Sequence, residues 1–359
     1  MKKVLLIFIV LAICGVIFSC NAKQKNTGIK PETNLNGEIG DSTNLATLRV
    51  AVMPSLLSVP VLHIKESGLD IKGGFQIQIV PYSDGTLMNI GLEKKEWDVA
   101  TMGTACIYSM VKYDAKVIGE ICDSSGGIEL FVRAQSEISK VKGYNPSAPS
   151  IYGSPDTVRG KSILCPEGTL SHFEVLRWIE RVGVKENEVK FIFMDYTNAY
   201  KAFKEGKGDV LATRAPETFY AEKHEKWVSV ATVENLNISQ ADNLVASKEM
   251  FENRKMILGK FLELIYTSNE LLAKDPKKAS DILYRWYVKN GYAIDKKSAE
   301  MEVAIKPLFT KEMAQERKFG ETLWGAVDFM LSTEKINSDD QRILERNITD
   351  VILKEISIK

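Results

Sequence analysis

Short β-branched runs that end at proline or glycine alternate along this chain with apolar helical stretches, and the alternation leaves few folds open to it. Leu48-Arg-Val-Ala-Val52 reads as a strand closed by Pro54, and Val59 to Gly68 as an apolar helix stopped by glycine. The unit recurs. Phe75 to Pro81 alternates as a strand, Thr86 to Trp97 reads as a helix, and Asp98-Val-Ala-Thr-Met102 leads through Gly103 into a helix over Thr104 to Tyr113. Strands that alternate with helices imply a mostly parallel α/β sheet, since parallel neighbours need a crossover between them.

The same grammar then restarts. After the apolar stretches Lys116–Cys122 and Ile128–Val132, a segment rich in Pro, Gly and Ser, Lys142 to Pro155, reads as a surface loop. Strand Lys161–Cys165, helix Ser171–Val182, strand Val189–Met194, helix Asn198–Glu205 and strand Asp209–Thr213 follow. Beyond Trp227–Ala231 and Asn243–Ser247 the chain turns almost wholly helical, and this tail is expected to pack back on the first lobe. Two lobes suit the length, at about 100 to 200 residues per domain. Residues 47–126 and 242–359 are expected to form lobe 1 and residues 127–241 lobe 2, with crossings near Ser125 and Asp242.

The N-terminus carries a location signal. Lys2 and Lys3 precede an apolar run from Val4 to Ile17, which stops at Phe18-Ser19-Cys20. A run this short falls below the ~20 residues of a membrane span and has the build of an export signal. The stretch resembles the lipobox of bacterial lipoproteins, which implies cleavage before Cys20, a lipid on that cysteine, and an anchored protein on the outer side of a membrane; an uncleaved anchor is the alternative. Residues 21–46, polar and rich in Asn, Lys, Thr and Gly, read as a flexible tether.

Composition excludes several function classes. The chain balances 47 basic against 47 acidic side chains, which gives nucleic acid no basic footprint to hold. Cys106, Cys122 and Cys165 remain once Cys14 and Cys20 are set aside. Three cysteines allow at most one disulfide, and without C-x-x-C spacing or nearby histidine pairs they read as small buried apolar residues. No metal or cofactor is expected.

Three loops offer binding chemistry. In Val158 to Glu174 a strand, a glycine loop and a helix start follow one another, and Ser171 with Glu174 has capping-box spacing, which would start the helix at Ser171. Gly168 would let a ligand approach the backbone, and helix-end N–H groups with the Thr169 and Ser171 hydroxyls would suit an anion or a carbonyl; ordinary helix capping explains them equally well. Ser83-Asp-Gly-Thr86 and Thr101-Met-Gly-Thr104 have the same strand-to-helix placement, where open α/β sheets bind ligands.

As an ordered set, R-G-K-S-I-L-C-P-E-G-T-L-S-H-F, then G-K-G-D-V-L-A-T-R-A-P-E, with the opening L-R-V-A-V-M-P-S and D-V-A-T-M-G-T, resembles the solute-binding proteins of ABC importers for nitrate, sulfonate, taurine and thiamine precursors. The resemblance spans nearly all of residues 47–275. It implies a two-lobed type II periplasmic-binding-protein-like α/β fold with a helical C-terminal region, working as a monomer. Such a protein captures a small anionic or polar solute between its lobes and hands it to the permease and ATPase subunits of an importer. Carried over by position, Pro54, Ser55, Thr86, Gly103 and Thr104 should line the pocket, with Gly168, Thr169, Ser171 and His172 opposite and Thr213, Arg214 and Glu217 completing the second lobe. Arg214 would hold a carboxylate or sulfonate bidentately, or else pair with Glu217 at the surface. Asp123, Ser124 and Ser125 fall where the first crossing begins, as hinge residues, ligand contacts or a turn. Two other readings compete: an enzyme on the same fold using Cys165 and His172, and a structural or adhesive surface lipoprotein.

Overall fold

In the computed structural model, which describes residues 45–292 and 294–357, ten strands fall into two five-stranded sheets. In chain order they are β1 (Ala46–Val52), β2 (Phe75–Pro81), β3 (Val99–Met102), β4 (Lys116–Asp123), β5 (Ile128–Arg133), β6 (Ser162–Cys165), β7 (Lys190–Phe193), β8 (Val210–Arg214), β9 (Trp227–Thr232) and β10 (Ala241–Ala246). The expected signal and lipidated Cys20, with nearly all of the tether, lie outside the described residues.

The first sheet has the order β2-β1-β3-β10-β4 and the second β7-β6-β8-β5-β9. The two are topological copies. In each, three parallel strands stand beside one antiparallel strand, β10 in the first sheet and β5 in the second. Both sheets are therefore mixed rather than mostly parallel. The reason is connectivity: β5 and β10 are the strands that the chain enters on arriving from the other sheet, over residues 124–127 and 233–240, and each runs opposite to the strands built by local βα crossovers.

Local chemistry sets the helix starts. Asp84 caps helix Gly85–Glu93 by accepting from the Thr86 and Leu87 N–H groups, and Asp195 caps helix Tyr196–Lys204 by accepting from Asn198 N–H at 3.0 Å. The helix after β6 starts earlier than the Ser171–Glu174 spacing predicts. It runs Leu170–Arg181 with Thr169 as its cap, while the Glu174 side chain is fully buried, with both carboxyl oxygens lacking a hydrogen-bond partner. Burial pushes that carboxyl well up, and the side chain sits in the core rather than reaching back to the helix end.

The first sheet buries its apolar residues against helices that include Val59–Glu66, Lys255–Lys274 and Pro276–Lys289, so the helical tail packs on this sheet. The second sheet packs on helix Leu170–Arg181 on one face and on Tyr196–Lys204 and Glu217–His224 on the other. The segment 142–155 is less superficial than its composition suggests. Tyr152 N–H donates to Val230 O in β9, Lys142 bridges Tyr152, and Ala148 and Ile151 are buried in the second core. Cys106, Cys122 and Cys165 are all buried free thiols.

Candidate functional site

The carboxyl ends of the parallel strands in both sheets meet at a cavity of about 60 Å³. Met53, Ser55 and Leu57 reach it after β1, Gly103, Thr104 and Ala105 after β3, and Ser124 after β4. Opposite stand Thr169 and Leu170 after β6, Tyr196 after β7 and Arg214 at the end of β8. This is where open α/β sheets place ligands, because strand ends and helix starts leave polar backbone there.

Arg214 is the central group. Its side chain is 7 % exposed, Nη2 donates to the Pro54 carbonyl at 2.9 Å, and the guanidinium lies 4.6 Å from the centre of the Tyr196 ring. The first contact joins the end of β8 to the loop after β1, across the two sheets. Nε has no partner. Burial works against the charge, but Tyr292, Tyr196, Tyr287 and Glu217 around it outweigh that effect and hold the pKa above its ordinary value. A surface pair with Glu217 is not what forms: Glu217 is also buried, and its Oε2 has no partner. Burial pushes the Glu217 carboxyl up to about 8 although Arg214 pulls it down.

The other predicted residues divide. Ser55, Gly103, Thr104, Ser124, Thr169 and Arg214 line the cavity, and Pro54 supplies the carbonyl that Arg214 takes. Thr86 lies outside it and donates to Glu167 O at 2.7 Å, a second contact between the sheets. Asp123 accepts from Ser125 N–H and shapes the crossing. Ser171 accepts from Tyr196 OH at 3.3 Å beneath the cavity wall, and the Thr213 hydroxyl is buried without a partner. Gly168 and His172 line a neighbouring small pocket beside Tyr108 and Phe329, and Glu217 lines a third with Tyr200 and Tyr292. Gly168 needs its glycine, at φ 69°, where a Cβ would come 3.1 Å from the Tyr108 ring. His172 accepts from Gly168 N–H at 3.2 Å and packs edge-on against Phe191 and Phe193, and burial, with Lys335 nearby, takes its pKa down to about 4.

Among the polar side chains of the cavity, Tyr196, Gln240, Asp242 and Lys306 escaped the sequence reading. Asp242 is 4 % exposed; its Oδ2 accepts from the Ser124 hydroxyl and from the Cys122 thiol at 3.6 Å. Burial pushes its carboxyl up, while Ser124, Lys306, Cys122 and Arg214 pull the other way. Lys306 is equally buried and reaches Glu302 at 3.1 Å, which in turn accepts from Tyr287 OH at 2.6 Å. The Asp195 cap was a local signal for Tyr196. Nothing local marks Lys306, which the tail delivers from far along the chain.

The fold is shared with known proteins. A family model described as NMT1/THI5 like matches residues 147–279. A protein of Brachyspira hyodysenteriae named as an ABC transporter periplasmic binding protein is 35% identical over 314 residues, which cover 88% of this chain and 90% of that one. The crystal structure of the periplasmic aliphatic sulphonate binding protein SsuA from Escherichia coli superposes with a TM-score of 0.62 at 15% identity, covering 86% of this chain and 92% of that one. The periplasmic nitrate-binding protein NrtA from Synechocystis PCC 6803 does so with a TM-score of 0.67 at 10% identity, covering 88% and 89%. At such identities the structures establish the fold, and the Brachyspira relative establishes the family: this chain belongs to the ABC transporter periplasmic binding proteins.

Proposed function

We propose that this protein captures a small polar solute bearing an acidic group in the cavity at Arg214 and delivers it to the permease and ATPase subunits of an ABC importer. The observation that carries the reading is the buried guanidinium with a free Nε, at the meeting point of two sets of strand ends. In this reading residues 47–126 and 242–359 form one lobe and 127–241 the other, supported by the passage of the chain between sheets over 124–127 and 233–240. Ser55, Gly103, Thr104, Ser124 and Thr169 contact the solute. Thr86, Gly168, Ser171, His172, Thr213 and Glu217 shape and support the walls.

The protein acts as a binder rather than an enzyme. A nucleophile and base need about 3 Å between them and a third group to orient the base. Burial instead pushes the Cys165 thiol up, and His172 spends Nδ1 on the Gly168 N–H. Thermal melts against a metabolite panel test the reading. A ligand at one hundred times its Kd should stabilise the protein by about 2.7 kcal/mol, without turnover of the ligand; consumption of the ligand would overturn it.

Anchoring completes the proposal: the leading segment is an export signal and Cys20 carries lipid, which holds the protein at the outer side of a bacterial membrane. Among the described residues no helix is long and apolar enough to cross a membrane. Cys20→Ala should release the protein from the membrane fraction. An intact N-terminus with an unmodified Cys20 in a mass spectrum of the native protein would refute the anchor.

A further inference from the structure

Three of the four Ser and Thr hydroxyls that line the cavity do not face its contents as donors; the fourth, on Ser55, makes no side-chain cap and stays free to donate or accept. Thr104 gives its hydrogen to Gln240 Oε1 at 2.7 Å, Thr169 gives its own to Pro166 O at 2.9 Å, and Ser124 gives its own to Asp242 Oδ2. The orientation of Gln240 is fixed by its Nε2, which donates to Ala241 O; a flipped amide would set two oxygens against each other. What these groups leave open toward the cavity is lone pairs. Asp242 adds a carboxyl oxygen: its Oδ2 is taken by Ser124 and Cys122, whereas Oδ1 has no hydrogen-bond partner among the described residues. Oδ1 faces Gly103, where even a Cβ would come to 3.0 Å. Against this accepting wall stand two charged donors, the Arg214 guanidinium with its free Nε and the Lys306 ammonium, which has one of its three hydrogens on Glu302.

A plain oxyanion answers only the donors and leaves Asp242 and Thr104 buried against its own negative charge. We infer that the solute is amphoteric: a small molecule with an acidic group for Arg214 and Lys306 and a hydrogen-donating nitrogen, best an ammonium, for Asp242 and Thr104. This rests on the capture reading above and narrows it. The cavity, of about 60 Å³, favours a small solute over a bulky one. An amino acid of the smallest kind is the class that fits. Its ammonium would also favour the charged form of Asp242, which burial alone disfavours.

Calorimetry on the mature protein with glycine, β-alanine, propionate and propylamine separates the possibilities. At least one amino acid should bind at least about tenfold more tightly than both single-headed analogues, because each analogue leaves one buried polar wall unanswered. Asp242→Asn and, independently, Thr104→Val should each weaken the amino acid and leave propionate unchanged or tighter. Propionate binding as tightly as the amino acids to the wild-type protein would overturn the amphoteric solute and leave capture of an acid standing. Binding of none of the four at about 10 mM would remove both.

Discussion

Arg214→Ala should weaken binding of an acidic solute at least about thirtyfold, the equivalent of losing about 2 to 5 kcal/mol when one partner of a buried charge-assisted contact is removed. The size of the effect follows from burial. At 7 % exposure the guanidinium is shielded from the water and salt that reduce exposed ion pairs to about 0 to 1 kcal/mol. Alanine would remove the bond to Pro54 O, the stacking partner of Tyr196, and the cation that pulls the Glu217 carboxyl down. Folding should therefore also lose about 1 to 3 kcal/mol, the cost of leaving a buried polar group without its partner. Arg214→Lys separates the two effects: it keeps a charge and loses the planar fork, so affinity should still fall while the fold recovers. Calorimetry paired with thermal melts reads both. Undiminished affinity for an acid in a folded Arg214→Ala protein would move the site to the loops after β1 and β3.

Much of the fold was legible because its signals are local. The β1, β2 and β3 runs alternate or are apolar throughout, their turns end in proline or glycine, and Asp84 and Asp195 cap the helices that follow. The misreading at Ser171 shows the limit of such signals. Ser171 and Glu174 have the right spacing for a capping box, but Thr169 lies nearer the turn and takes the cap, and Glu174 is drawn into the core by packing that spacing does not encode. Long-range placement was least legible. Mostly parallel sheets were expected, yet β5 and β10 enter their sheets antiparallel because the chain changes sheets there, and the arrival of β10 is what sets Asp242 against Gly103. Lys306 comes from a helical tail whose sequence shows only an amphipathic face. The donor wall was half visible in Arg214, and the accepting wall could not be seen until the partners of each hydroxyl were known.

The contact from Arg214 to Pro54 and that from Thr86 to Glu167 both cross between the sheets, as do ion pairs Lys223–Asp295 at 2.7 Å and Lys335–Glu186 at 2.6 Å. The two ion pairs are partly exposed and individually weak, so by themselves they add little to holding the two sheets together. In the proposed capture, a solute bonded to Arg214 from one lobe and to Asp242 from the other would add contacts that exist only when the lobes are together, and it would shift the population toward the closed form by that difference in affinity. Small-angle X-ray scattering of the mature protein, with and without a saturating ligand found by melting, tests this most directly. The account predicts a smaller radius of gyration with ligand and a profile that then matches the arrangement with Arg214 on the β1 loop, near the roughly 20 Å of a compact body of this length. Superimposable profiles at saturation would contradict capture by closure between the lobes.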